Sequence, residues 1–336
     1  MAAPAEPEYQ KMANGGSDRD RHPQNLQGLL RLSVEAGTVG DGVPELHPMA
    51  EQRRQWLQDA LSDAFDGQLD ELKQIKQCLQ ILYEPPDEDT GGEGRKERAL
   101  DLVADLCENL DNARDFCKLD GMKLVVETLL QCADPELRWR SANIIGTCSQ
   151  NNPFVQQCAL GLGAIQILLD LLNNDENDLV RIKALFAVSC LVREQEAGLQ
   201  EFVDHDGFSV LMRAMQSRVE KLKVKAAFLL QNLLGSHPEH KEVLCSMGMV
   251  QQLVSLIQAE HEAFHEHVLG ALYSLVSHFP RGVKQCKIPE LGLENILMER
   301  VRMLKNQEEF QEELDFCEKL LQTCFSGQSE ENGMDR

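Results

Sequence analysis

The runs ALDLVADL (99–106), ANIIGTCS (142–149), ALFAVSCL (184–191), AFLLQNLL (227–234) and GALYSLVS (270–277) fall into one alignment. Each opens on a small residue: Ala99, Ala142, Ala184, Ala227 and Gly270, spaced by 43, 42, 43 and 43 residues. A second marker holds the same phase. A glycine opens the next apolar helical segment at Gly121, Gly163, Gly207, Gly248 and Gly292, spaced by 42, 44, 41 and 44.

A period near 42 with two apolar helical segments per unit lies in the range of armadillo and HEAT repeats. The physics accounts for both markers. A small residue at a fixed point lets neighbouring helices approach closely, and the glycine allows a sharp turn of positive φ. Each unit buries its apolar face only against its neighbours, so the array needs several units. The segments after the glycine, such as AIQILLDLL (164–172) and VQQLVSLI (250–257), are apolar nearly all round and predict helices buried on most sides. The expected fold is all-α, a curved armadillo-like solenoid over residues 95–325. FQEELDFCEKLLQTCF (310–325) reads as its capping helix, with Phe310, Leu314, Cys317, Leu320, Leu321 and Cys324 on one face and acids on the other. Residues 326–336 are a polar tail.

Before the repeats the pattern is different. Residues 1–48 are rich in Pro, Gly and charge and predict a mostly disordered tail, interrupted by the apolar run NLQGLLRLSV (25–34). Residues 49–83 read as two helices. Trp56, Leu57, Ala60, Leu61, Ala64 and Phe65 keep helical spacing in the first, and Leu69, Leu72, Ile75, Leu79 and Leu82 in the second. EPPDEDTGGEG (84–94) is a linker, because its prolines stop one helix and its glycines and acids disfavour another.

Composition narrows the function classes. There are 33 basic and 55 acidic residues, a net charge of −22, and such a field repels phosphate backbones. The same field favours partners that present a basic surface. Eleven cysteines without a C-x-x-C pair sit mostly inside apolar helical runs, as small buried hydrophobes of a reducing compartment. The N-terminal run has no apolar core of a secretory signal, and no stretch approaches about 18 consecutive apolar residues. A cytosolic location is expected, with the nucleus open to it.

Several motifs imitate chemistry. HEAFH (261–265) satisfies the zincin pattern, in which His261 and His265 would share Zn²⁺ one helical turn apart and Glu262 would act as base. Repeat phase places Phe264 with Leu222 and Leu179, where a first helix opens, so the motif straddles a junction. The extended pattern fails too, with Val268 and Ala271 at its glycine and third-histidine positions. GLGAIQ (161–166) begins like a dinucleotide fingerprint, but Gln166 stands at the third glycine and a helix precedes it. KLKVK (221–225) opens a repeat and reads as a solvated face or a salt bridge to a neighbour. No catalytic residue, cofactor or metal is expected.

Longer runs carry a family resemblance. LVADLCENLDNA (102–113), RWRSANIIGTCSQN (138–151), KALFAVSCLVREQEAG (183–198), DGFSVLMRAMQ (206–216), KLKVKAAFLLQNLL (221–234), CSMGMVQQLV (245–254), FHEHVLGAL (264–272) and EELDFCEKLLQTCF (312–325) resemble the heat shock protein 70-binding protein 1 family of armadillo-type exchange factors. EQRRQWLQDAL (51–61) and NLQGLL (25–30) extend the likeness. The resemblance implies a co-chaperone without catalytic residues. It would bind the nucleotide-binding domain of heat shock protein 70, speed ADP release, and act indirectly on a chaperone-associated ubiquitin ligase. A related exchange factor works in the endoplasmic reticulum, and the cytosolic branch is the one expected here. A monomer is expected. The run 25–34 has two readings, a short helix packed on 49–83 or a segment offered to the chaperone's own peptide groove.

Candidate contact residues follow from repeat phase, because third helices line the concave side of an armadillo array. Counted from each glycine, offsets of three and seven share a helical face. They give Gln166 and Asp170, Gln251 and Ser255, and Asn295 and Glu299; offset six adds Glu127 and Arg213. The alternative function is an armadillo adaptor that carries an extended peptide. Such adaptors repeat Trp and Asn along the groove, whereas the two tryptophans here are Trp56 and Trp139, neither on a third helix.

Overall fold

The computed structural model describes residues 69–85, 94–259 and 261–326. The chain divides into two compact units, Met1–Asp70 and Glu71–Arg336, and the first contributes only Leu69 and Asp70 to the described residues. The apolar run 25–34, the expected helix before residue 69 and the tail after 326 lie outside them.

Residues 69–83 are helical, as the spacing predicts. Ile75, Leu79 and Leu82 are buried, whereas Leu69, expected on the same face, is exposed. Where that helix ends, Glu84 meets the start of the array. Its carboxylate pairs with Arg95 at 2.7 Å and its carbonyl accepts from Lys96 at 2.5 Å.

The array contains five units of three helices. These are α1 (Arg95–Leu106), α2 (Leu110–Lys118) and α3 (Gly121–Glu127); α4 (Pro135–Ser149), α5 (Pro153–Gly161) and α6 (Ala164–Asn174); α7 (Asp178–Val192), α8 (Glu196–Asp204) and α9 (Gly207–Met215); α10 (Glu220–Ser236), α11 (Lys241–Ser246) and α12 (Met249–Ile257); and α13 (His265–Val276), α14 (Pro280–Cys286) and α15 (Leu293–Leu304). The capping helix α16 (Gln311–Phe325) follows. The two apolar segments read from the sequence are the first and third helices of each unit. The middle helix, six to nine residues long, is the correction: at that length it shows barely two turns of pattern.

Helix starts are chemically explicit. Asn109, Asp134 and Asn177 cap α2, α4 and α7 by accepting backbone N–H bonds from Asp111, Glu136 and Leu179, each at 2.9 Å. Proline opens α4, α5 and α14, where its missing N–H costs nothing. The small marker residues Ala99, Ala142, Ala184, Ala227 and Gly270 are all buried. A Cβ on Gly270 would lie 2.5 Å from the Gln231 side chain of the preceding first helix. That is the close approach for which the small residue is needed.

The glycine marker has two forms. Gly163, Gly248 and Gly292 have positive φ, as expected. At Gly121 and Gly207 the left-handed residue is instead the preceding aspartate, Asp120 or Asp206. There the glycine is the first helical residue, and a Cβ would strike the ring of Phe116 or Phe202 at 2.3 and 2.4 Å. Counted by the left-handed residue, the corner recurs at 120, 163, 206, 248 and 292, a more regular series than the glycines themselves.

Another left-handed position closes the first corner of three units, at Asn151, Glu194 and His278. For Glu194, an exposed side chain, that backbone costs roughly 1–2 kcal/mol. Glu194→Gly therefore stabilises the chain by about 0.5–1 kcal/mol after the entropy cost of glycine. A rise in the denaturant midpoint checks this, and an unchanged or lower midpoint would refute it.

Candidate partner-binding face

The third helices carry the candidate residues, and the left-handed corner supplies a common origin for them. Seven residues beyond it lie Glu127, Asp170, Arg213, Ser255 and Glu299, one in each unit and all exposed. Offset six in two units and seven in the others are thus one row. The glycine count had split it, because Asp120 and Asp206 occupy the corner there. Three residues beyond the corner lie Lys123, Gln166, Ser209, Gln251 and Asn295. Lys123 and Ser209 were missed for the same reason, and the Asp-Gly dipeptides at 120–121 and 206–207 were the available signal. Ser209 is occupied locally, since its hydroxyl donates to Asp206 at 2.7 Å.

The structure joins these helices unevenly. Helices α6 and α9 pack against each other, and Arg213 on α9 donates to Asn173 on α6 at 2.5 Å. Asn174 donates to Asp170 at 2.6 Å, which orients that carboxylate. Helices α12 and α15 are tied by Arg300, whose guanidinium donates to the Ile257 carbonyl at 3.0 Å, and by Gln258, which donates to the Leu291 carbonyl. Ser255 spends its hydroxyl proton on the Gln252 carbonyl. The Gln251 side-chain oxygen is buried without a partner. Glu127 stands at the last residue of α3, which at seven residues is the shortest third helix, so the row ends where the helix does.

The row is acidic at both ends and basic in the middle, at Arg213. Its C-terminal end carries two hollows. A hollow of about 340 Å³ is lined by Ile257, Gln258, Ile296, Glu299, Arg300 and Met303. Asn295, Met298, Glu299 and Arg302 border a second, more open one. Met298 and Met303 are 37% and 45% exposed, so two flexible apolar side chains flank the Glu299 carboxylate. No group of His, Cys, Asp and Glu able to hold a metal occurs among the described residues.

HEAFH forms a structural network in place of a metal site. His261 precedes α13 and His265 is its first residue, so they do not stack one turn apart on a helix. His261 Nε2 lies 2.8 Å from Glu313, Glu262 pairs with Lys223, and Arg300 donates to His265 Nδ1 at 3.1 Å and to Glu313 at 3.1 Å. Glu313 is fully buried. It is not on the acidic outer face of the capping helix, as expected, but on the packed face with Cys317, Leu320 and Cys324.

Burial, then the Arg300 and His261 charges, lower the His265 pKa to about 4, against the opposing pull of Glu262. The unfolded chain therefore binds the extra proton first. Stability is full above the ordinary histidine pKa of 6.5 and falls as pH drops toward 4, by up to about 3 kcal/mol. Melting temperatures across this window should fall more steeply in the native chain than in His265→Gln. Parallel curves would remove His265 as the cause.

Residues 112–242 match the family described as the SIL1/FES1/HPBP1 C-terminal domain, and residues 26–116 that described as nucleotide exchange factor Fes1. Hsp70-binding protein 1 of Homo sapiens is 59% identical over 322 residues, covering 94% of this chain and 89% of its own length. The chain belongs to the Hsp70-binding protein 1 family. The Mus musculus protein of that name is 58% identical over 343 residues, 98% of this chain and 96% of its own. The likeness to Hsp70-binding protein 1 thus runs past residue 242 and takes in α11 to α16. A designed armadillo repeat protein shares the fold alone, with a TM-score of 0.60 at 18% identity over 74% of this chain and 99% of its own.

Proposed function

We propose that this chain is a co-chaperone that binds the nucleotide-binding domain of heat shock protein 70 and promotes ADP release. The observation that carries the reading is the 59% identity to Hsp70-binding protein 1 over nearly the whole chain, joined to the match with a nucleotide exchange factor at residues 26–116. The partner lobe is assigned to the exposed row on the third helices, with the Met298–Met303 end as its apolar anchor. No catalytic step belongs to this chain. It works as a monomer in the cytosol, with access to the nucleus, and any effect on a chaperone-associated ubiquitin ligase passes through the shared chaperone. Nine of the eleven cysteines are buried, which suits a reducing compartment.

Exchange by such a clamp is a matter of differential affinity. It shifts the chaperone only if it binds an opened arrangement of the nucleotide-binding lobes more tightly than the closed one. Linkage then makes ADP weaken the clamp by the factor by which the clamp weakens ADP, about a hundredfold for a coupling of about 3 kcal/mol. The test is stopped-flow release of a fluorescent ADP analogue from heat shock protein 70 with and without the full chain. Acceleration, together with clamp affinity that falls as ADP is added, is expected. Binding without acceleration would leave the adaptor reading in its place. That reading gains nothing from Trp139, which lies on first helix α4 and stacks under Arg140 at 4.1 Å.

A further inference from the structure

First helices α7 and α10 are neighbours in the array, and each turns a stripe of the same chemistry toward a shared cleft. On α7 the stripe is Lys183, Phe186 and Ser189, continued by Arg193 just past the helix end. On α10 it is Lys221, Lys225, Phe228 and Asn232, at helical spacing. Phe186, Ser189, Arg193, Lys225, Phe228 and Asn232 line a cavity of about 200 Å³. Phe228 is 46% exposed at its rim.

The four cations have no carboxylate partner among the described residues. Among the described residues Arg193, Lys221 and Lys225 form no ion pair, and Lys183 donates to the Asn143 side-chain oxygen at 2.8 Å. What sets these four apart is that they stand together on two adjacent helices, beside a half-exposed phenylalanine. The lysines also sense one another. Burial, then Lys225 and Lys221, lower the Lys183 pKa. An arriving anion relieves that repulsion.

We propose that the α7–α10 cleft binds an acidic peptide segment of another protein, with one aromatic or large aliphatic side chain seated against Phe186 and Phe228. Two magnitudes select this occupant. The cavity is below the roughly 300–1,000 Å³ of ordinary small-molecule sites, and suits one anchoring side chain while the rest of the peptide lies along the cations. The net charge of −22 opposes a long polyphosphate, whereas a short acidic segment interacts within the roughly 8–10 Å over which the local cluster is unscreened. This surface is separate from the third-helix row and does not rest on the exchange reading.

The test is fluorescence anisotropy with a labelled peptide of alternating Glu and Gly around one central Phe, titrated with the full chain. Binding should weaken at least about tenfold in Arg193→Glu/Lys225→Glu and again by about tenfold on raising salt. Phe228→Ala should weaken it while leaving the salt dependence in place, and ADP exchange should be unchanged in all variants. Unaltered circular dichroism melts, with Lys225→Gln as a milder substitution, separate this result from misfolding. No binding, equal binding by the charge-reversed variant, or equal binding of the peptide lacking Phe would overturn the proposal. So would equally strong competition by an RNA oligomer, which would make the cleft a general polyanion surface. A tenfold gain on deleting the chain's own acidic run 84–93 would overturn it as well, making that run the occupant.

Discussion

Arg300→Met lowers the stability of the folded chain by about 3–5 kcal/mol, the cost of leaving a buried charge without its partner. The arginine is 7% exposed and Glu313 is fully buried. One guanidinium serves Glu313 on α16, His265 on α13 and the Ile257 carbonyl at the end of α12. Its removal strands the Ile257 carbonyl and leaves the buried Glu313 carboxylate with His261 alone, and methionine keeps the volume but supplies no donor. The size of the loss is not the worth of the pair. Arg300→Met combined with Glu313→Leu removes both charges and should recover most of the stability, because burying an ion pair costs nearly what the pair returns. Urea denaturation of the single and double variants measures both. A single variant within about 1 kcal/mol of the native chain would show that His261 or water holds Glu313 without the guanidinium.

Asp170→Lys combined with Glu299→Lys weakens the grip on heat shock protein 70 by about 3 kcal/mol or more, a hundredfold or greater in the concentration needed for half-maximal ADP release. Both residues belong to the row seven places beyond the left-handed corner, and both carboxylates are exposed. Reversing them leaves three like charges, with Arg213 between, where the proposed contact calls for a partner surface complementary to acid–base–acid. Like-charge juxtaposition costs several kcal/mol, while charge reversal on an exposed helix face changes folding little. Reversing Asp178 and Glu220, which stand at the starts of first helices, is the matched control. Equal activity of row variant and control would remove the third helices as the contact face.

The parts of this molecule that were legible in its sequence are those where volume leaves no choice. Ala99, Ala142, Ala184 and Ala227 announce themselves as small residues buried at the same point of each first helix. The same constraint recurs once per unit, so a lone alanine becomes a series. The middle helices were hidden by shortness: α11, with six residues, completes less than two turns. The corner was legible to within one residue. Glycine and aspartate both reach positive φ, and in Asp-Gly the sequence does not say which of the two has turned. That residue of ambiguity split the contact row and concealed Lys123. The network around Arg300 was not legible at all. Its members stand 13, 35 and 43 residues from Arg300, and the side chains of His265, Arg300 and Glu313 each alone resemble a solvated charge.

The two ends of the array differ in a way that sets the order in which it comes apart. Every interface joins units about 43 residues apart in sequence, so the molecule behaves as a one-dimensional chain of couplings and opens from an end inward. At one end α3, the third helix, is only seven residues long and runs into a 3-10 turn at Leu129–Gln131. At the other, α12, α13, α15 and α16 are joined by one guanidinium. Amide hydrogen exchange should therefore be faster in α3 than in α13, α15 and α16, which should be among the slowest to exchange. A solenoid is usually pictured as fraying alike at both tips; this one has a soft end and a bolted one.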